Sequence, residues 1–133
     1  MKYLIDSNVL LEVALKRAFH DDAREFLSRT PAADLAIDIF SVHALGFYLV
    51  RKTPDIFDAL VADLQAREIT IVRLELAQLK LVTANAQRFQ LTFDDAFVYT
   101  VAELHNLTIV SLDADFDRTT RGRRTPRAIL DGV

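Results

Sequence analysis

Four apolar runs, rich in β-branched residues and too brief to be helices, punctuate this chain at 2–5, 35–37, 69–72 and 107–110. Between them lie longer segments whose apolar residues recur at three- and four-residue spacing, as in amphipathic helices. Val9, Leu10, Val13 and Ala14 predict a helix over 8–17. His20, Asp21 and Asp22 open a second, which runs through Ala23, Phe26 and Leu27 and stops at Thr30-Pro31. Asp38 starts a third, with Val42, Leu45 and Leu49 on one face. Thr53-Pro54 heads a fourth, from Asp55 to about Arg67, and two more are expected over 76–89 and 92–106. The segment 126–130 is ambiguous. Parallel strands need long crossovers, so short strands alternating with helices predict an α/β fold. The expected architecture is a three-layer sandwich, with a central parallel sheet of four or five short strands flanked by helices, as one domain over residues 1–133.

Composition narrows the class. Hydrophobic residues make up 51% of 133 residues and mean hydropathy is +0.16, which excludes a disordered chain. No apolar run approaches the roughly 18 residues of a membrane span. The N-terminus lacks the basic and apolar regions of a secretory leader, and cysteine is absent, so a cytoplasmic protein without disulfides or thiolate metal sites is expected. Net charge is −3, yet Arg118, Arg121, Arg123, Arg124 and Arg127 fall in one acid-free segment, leaving −8 on the remainder (−3 minus +5). Such a segment suits either a polyanion held beside an acidic site or a solvated terminal charge run.

Three aspartates stand where they can converge. Asp6 and Asp113 each follow an apolar strand, at the end where parallel sheets bind ligands, and Asp95 lies at the front of a helix. Neither strand-end acid has a Lys or Arg beside it in sequence. Gathered carboxylates without cationic partners repel one another unless a divalent cation binds between them, which suggests Mg²⁺ or Mn²⁺ chemistry on a phosphate ester. Plainer roles exist for each motif. Asp6-Ser7-Asn8 can cap a helix, and Thr92-Phe93-Asp94-Asp95 fits a capping box. Asp113, Asp115 and Asp117 exceed what a turn requires, and they lack the acid-glycine pattern of an EF-hand loop. His43, on a helix among apolar residues, is more often a core residue than a ligand. Glycine-rich phosphate loops and nucleophile elbows are missing.

Taken in order, Asp6-Ser7-Asn8-Val9-Leu10-Leu11, Phe93-Asp94-Asp95-Ala96 and Ile109-Val110-Ser111-Leu112-Asp113-Ala114-Asp115-Phe116 resemble the PIN domain, most closely its small single-domain toxins of the VapC type. The resemblance runs nearly end to end. It implies a PIN-like sandwich, Mg²⁺- or Mn²⁺-dependent endoribonuclease activity and, often, a homodimer paired with a small antitoxin. By the same resemblance Asp6, Asp95 and Asp113 match the family's first, third and fourth metal-binding acids. Asp115 is an accessory, Asn8 supports the first acid, and Ser111 stands for the usual Thr or Ser. The second acid, usually Glu on the third helix, aligns with Ala44, and His43 is the nearest polar residue, a candidate ligand or proton carrier in its place.

The expected reaction is hydrolysis of an RNA phosphodiester by a metal-activated water, with Arg121, Arg123 and Arg124 holding flanking phosphates. An aspartyl-phosphate phosphatase of the haloacid-dehalogenase kind needs a second acid two residues after the first, where this chain has Asn8. The missing second acid leaves a catalytically weakened RNA- or protein-binding module as the alternative. Val13, Phe19 and Phe57 are candidates for a dimer or antitoxin surface.

Overall fold

The computed structural model describes residues 1–132. Strand β1 (Tyr3–Ile5) is followed by α1 (Ser7–Ala14) and α2 (His20–Arg29), then β2 (Leu35–Asp38), α3 (Ile39–Leu49) and α4 (Pro54–Ala66). Strand β3 (Thr70–Val72) leads into α5 (Leu79–Phe89) and α6 (Phe93–His105), and β4 (Thr108–Val110) precedes α7 (Pro126–Leu130). The sheet has four strands in the order β3-β2-β1-β4, all parallel. The three-layer PIN-like sandwich is thus observed, with four strands rather than five.

Alternating side chains divide the core between the two faces of the sheet. Leu4, Ala36, Val72 and Ile109 pack with Val82 of α5 and Val98 and Val101 of α6. Tyr3, Ile5, Leu35, Ile37 and Val110 pack on the other side with Val9, Leu10, Phe26 and Leu45, from α1, α2 and α3. Pleating then fixes where the next polar residues point. Asp6, Asp38 and Ser111 each lie two places beyond an α6-facing residue (Leu4, Ala36 and Ile109), so they share the face that α6 covers.

Local departures from the expected helices have identifiable causes. α1 ends at Ala14 rather than near Arg17, because Lys16 takes a left-handed φ of 50° and buried Glu12 turns inward to accept the Phe19 amide at 2.8 Å. Residues 76–78 form a 3₁₀ turn ahead of α5, held by a reciprocal cap between Glu75 and Gln78. The ambiguous segment 126–130 is a helical turn whose Thr125 Oγ accepts from the Ala128 amide at 3.1 Å.

The 3₁₀ turn Ala114–Arg118 is pinned to the core by Phe116, which is fully buried beneath it. Phe116→Ala is expected to cost about 3–5 kcal/mol in a denaturant titration, the range for deleting a buried aromatic ring.

Candidate metal centre

From β1 the chain moves outward through β2 and β3, then returns past β1 to lay β4 on the opposite side. The strand order therefore reverses between β1 and β4, and the crevice beyond their carboxyl ends is where such sheets take ligands. Asp6 leaves β1 into that crevice, and Ser111 to Asp113 leave β4 into it.

Asp6 is 6% exposed, and both of its oxygens are hydrogen-bonded. Its Oδ1 accepts the Ser7 amide at 2.8 Å. Its Oδ2 accepts the Ser111 hydroxyl at 2.7 Å and the Asn8 amide nitrogen at 3.1 Å. Asn8 in turn accepts the Leu112 amide at 3.2 Å, and Ser111 Oγ accepts the Asp113 amide at 2.9 Å. Asp113 Oδ1 accepts from the Asp115 amide at 2.8 Å. On the facing helix Thr92 caps α6, which sets Asp95 in its first turn.

Asp6, Asn8, Ser41, Ala44, Asp95 and Asp113 line one cavity of about 180 Å³, together with Asp94 and apolar neighbours. Asp95, Asp113 and Asp115 each offer a carboxylate oxygen within 4.8 Å of the other two. No basic side chain lines the cavity among the described residues. Burial pushes Asp6 up to about 6, opposed by the Ser111 hydroxyl and reinforced by the nearby charges of Asp38 and Asp113. Asp95 is raised to about 7, by burial first and then by Asp113, Asp6 and Asp115. An all-oxygen, multiply acidic donor set of this kind fits a hard divalent cation such as Mg²⁺ or Mn²⁺ and no thiophilic metal.

Asp6, Asn8, Asp95, Ser111 and Asp113 thus come together as a group. Asp115, and not Asp6, completes the set of three acids within 4.8 Å of one another, although Arg118 holds its Oδ1 at 3.0 Å. His43 does not join them. It lines a separate apolar groove with Gly46, Phe47, Val50 and Phe57, while Ala44, about 100° further round the helix, faces the acids. The arginines divide likewise. Arg121 donates to the Leu107 carbonyl at 3.0 Å, at the start of β4 and hence the opposite edge of the sheet from Asp6. Arg124 continues the sheet beside Val110 through its backbone, and its side chain donates to the Ala128 carbonyl. Arg123 donates through its side chain to the Ser111 carbonyl at 3.1 Å and pairs with Asp117 at 3.2 Å.

Asp38 is the acid that sequence reasoning assigned only to a helix start. It is wholly buried at the end of β2, beside the same cavity wall, and burial raises its pKa against the Ser41 hydroxyl and amide that bond it. Its strand-to-helix position repeats that of Asp6, the one signal that would have singled it out. Of the surface candidates, Val13 and Phe57 pack against the core and Phe19 is exposed. Phe47 and Tyr48 of α3 and Val50, which caps its C-terminus, are exposed as well, Phe47 at 90%.

The PIN domain family model matches residues 3–122. A toxin–antitoxin complex from Klebsiella pneumoniae is 21% identical with a TM-score of 0.76, covering 94% of this chain and 98% of that one. PAE2754 from Pyrobaculum aerophilum is 25% identical with a TM-score of 0.67, covering 99% and 94%. VapC20 from Mycobacterium tuberculosis, described as a sarcin–ricin loop cleaving toxin, is 14% identical with a TM-score of 0.77, covering 87% and 93%. No curated protein matches the chain.

The raised carboxyls make a pH prediction. In the unfolded chain an aspartate releases its proton near pH 3.8, whereas folded Asp6 and Asp95 hold theirs to about 6 and about 7. Within that window the folded state binds more protons than the unfolded, so stability falls as pH rises and levels off above it. The melting temperature of the metal-free protein is expected to drop between about pH 4 and about pH 7, and replacing Asp6 and Asp95 by Asn should flatten the slope. A flat wild-type profile would contradict the burial of these carboxyls.

Proposed function

The chain belongs to the PIN domain family, and from that premise we propose that it is a metal-dependent endoribonuclease, the toxin of a type II toxin–antitoxin pair. The observation that carries this reading is the meeting of Asp6, Asp95 and Asp113, from three distant parts of the chain, in one cavity without a basic side chain. The relatives whose descriptions name toxin–antitoxin assembly or cleavage of the sarcin–ricin loop support RNA as substrate and a small antitoxin as partner.

Asp95, Asp113 and Asp115, with Asp6 in the wall of the same cavity, would hold Mg²⁺ or Mn²⁺. When bound, such an ion neutralises phosphoryl charge and makes a water acidic enough to attack at neutral pH. The chain's own residues prepare the site. Ser111 and Asn8 fix the rotamer of Asp6 so that its charge is already oriented, and the buried setting keeps bulk water from screening it. Arg123, tied to the Ser111 carbonyl, is the basic residue best placed for a flanking phosphate. The exposed Phe47 and Tyr48 of α3, with Val50 at its C-cap, give apolar area for a homodimer or antitoxin contact.

Ala44 in the cavity wall favours one other reading, a PIN-like module that binds RNA or protein without cutting. A mixed RNA pool incubated with Mg²⁺ separates the two. Wild type is expected to cleave, chelation to stop it, and Asp6→Asn or Asp113→Asn to slow it by more than the roughly 10–100-fold that losing an outer partner of a metal ligand costs. Variants as fast as wild type would overturn the active-site assignment. RNA binding without any cleavage, together with the lack of a tight Mn²⁺ site that Asp6→Asn removes, would favour the binding module instead.

A further inference from the structure

The wall that α3 contributes to the acidic cavity has an unusual composition. Ser41 and Ala44 are three residues apart, so they project from one face of the helix, and both line the cavity. The resemblance stated above puts a carboxylate at position 44, and this chain has a methyl group there. Directly behind Ser41 stands Asp38, whose two oxygens are both turned to this residue. Oδ1 accepts the Ser41 hydroxyl at 2.6 Å and Oδ2 accepts the Ser41 amide at 2.8 Å.

Sheet register brings Asp38 to Asp6. Tyr3 lies beside Leu35 and Leu4 beside Ala36, so two places further along Asp6 comes beside Asp38 on neighbouring strands about 4.8 Å apart. Both carboxylates lie on the face that α6 covers. The charge of Asp38 raises Asp6 more than that of Asp113 does. Capping α3 does not by itself require an acid, since Ser, Thr or Asn caps as well. Burying one here, against the repulsion of Asp6, is costly unless something in the cavity compensates it.

We propose that Asp38, acting through Ser41, supplies the metal site with the negative charge and the inward-facing oxygen that a carboxylate at position 44 would otherwise bring. Asp38 is a positioning residue in this scheme and not a ligand. Because the Ser41 proton is committed to Asp38, the lone pairs of Ser41 Oγ are left for a donor in the cavity, such as a water on a bound cation. The charge behind it polarises that hydroxyl and adds to the attraction felt by the cation. This inference rests on the metal-dependent reading above.

The test measures Mn²⁺ binding by calorimetry alongside RNA cleavage, on wild type, Asp38→Asn, Ser41→Ala and Asp38→Asn/Ala44→Glu, with Asp6→Asn as control. Asn keeps the cap and the shape while removing the charge, so the fold is expected to survive, as circular dichroism would verify. Asp38→Asn should weaken Mn²⁺ binding about tenfold or more, Ser41→Ala should weaken it in the same direction, and Ala44→Glu should recover most of the loss. A folded Asp38→Asn protein that binds Mn²⁺ as wild type does would overturn the proposal, as would failure of Ala44→Glu to restore binding. Should Asp38→Asn not fold, unchanged binding by Ser41→Ala would overturn it equally. If Asp6→Asn also leaves Mn²⁺ binding intact, the metal site itself is misassigned and both readings fall. If that control behaves and only the Asp38 series is silent, the nuclease reading stands alone.

Discussion

One hydroxyl ties the site together. Ser111 Oγ donates its single proton to Asp6 and accepts from the Asn8 side chain and the Asp113 amide, which uses its full bonding capacity. Two of those bonds join the exit of β1 to the exit of β4, segments more than a hundred residues apart in sequence. The acids that leave β1 and β4 are referenced to that joint. Asp6 is held by it directly, Asp113 follows from the amide it engages, and Asp115 follows from the turn that Asp113 caps.

The joint also explains how so much like charge is tolerated. Three hydrogen bonds to Asp6 favour its ionised form, yet burial and the surrounding acids outweigh them and leave its pKa raised. The metal-free protein therefore carries an electrostatic burden at neutral pH that a more polar surface arrangement would avoid. Native proteins keep such locally unfavourable arrangements where function needs them, offset by packing elsewhere, and here Leu4, Ile5, Ile37 and Ile109 are almost wholly buried in the sandwich on either side.

Most of the fold was legible because it rests on period. Runs of alternating β-branched residues and i, i+3, i+4 spacing marked strands and helices to within a few residues, and strand-end position plus parallel topology brought Asp6 and Asp113 to one edge. What escaped depended on partners distant in sequence. The arginine segment looks like a free polycation when read linearly, but Arg121 is tied to the Leu107 carbonyl, Arg123 to the Ser111 carbonyl beside the site and to Asp117, and Arg127 to Asp22 and Asp131. α1 stopped early because Glu12 reached the Phe19 amide, a contact no local propensity encodes. Asp38 satisfied the local rule for a helix cap so well that no residue nearby pointed to a second role.

His43 and Ala44 make the same point from helix geometry. Chemical type favoured the histidine as the polar substitute on α3, whereas phase decides which residue faces the acids, and a one-residue step around a helix is enough to exchange a cavity wall for an apolar groove. A side chain one turn away shares the correct phase, and that is Ser41, backed by Asp38. With Asp38 already beside Asp6, a further carboxylate at position 44 would face the charges of Asp6 and Asp95 across the same small cavity. An alanine there relieves that crowding, so the loss of one acid and the presence of the other are two sides of a single electrostatic constraint.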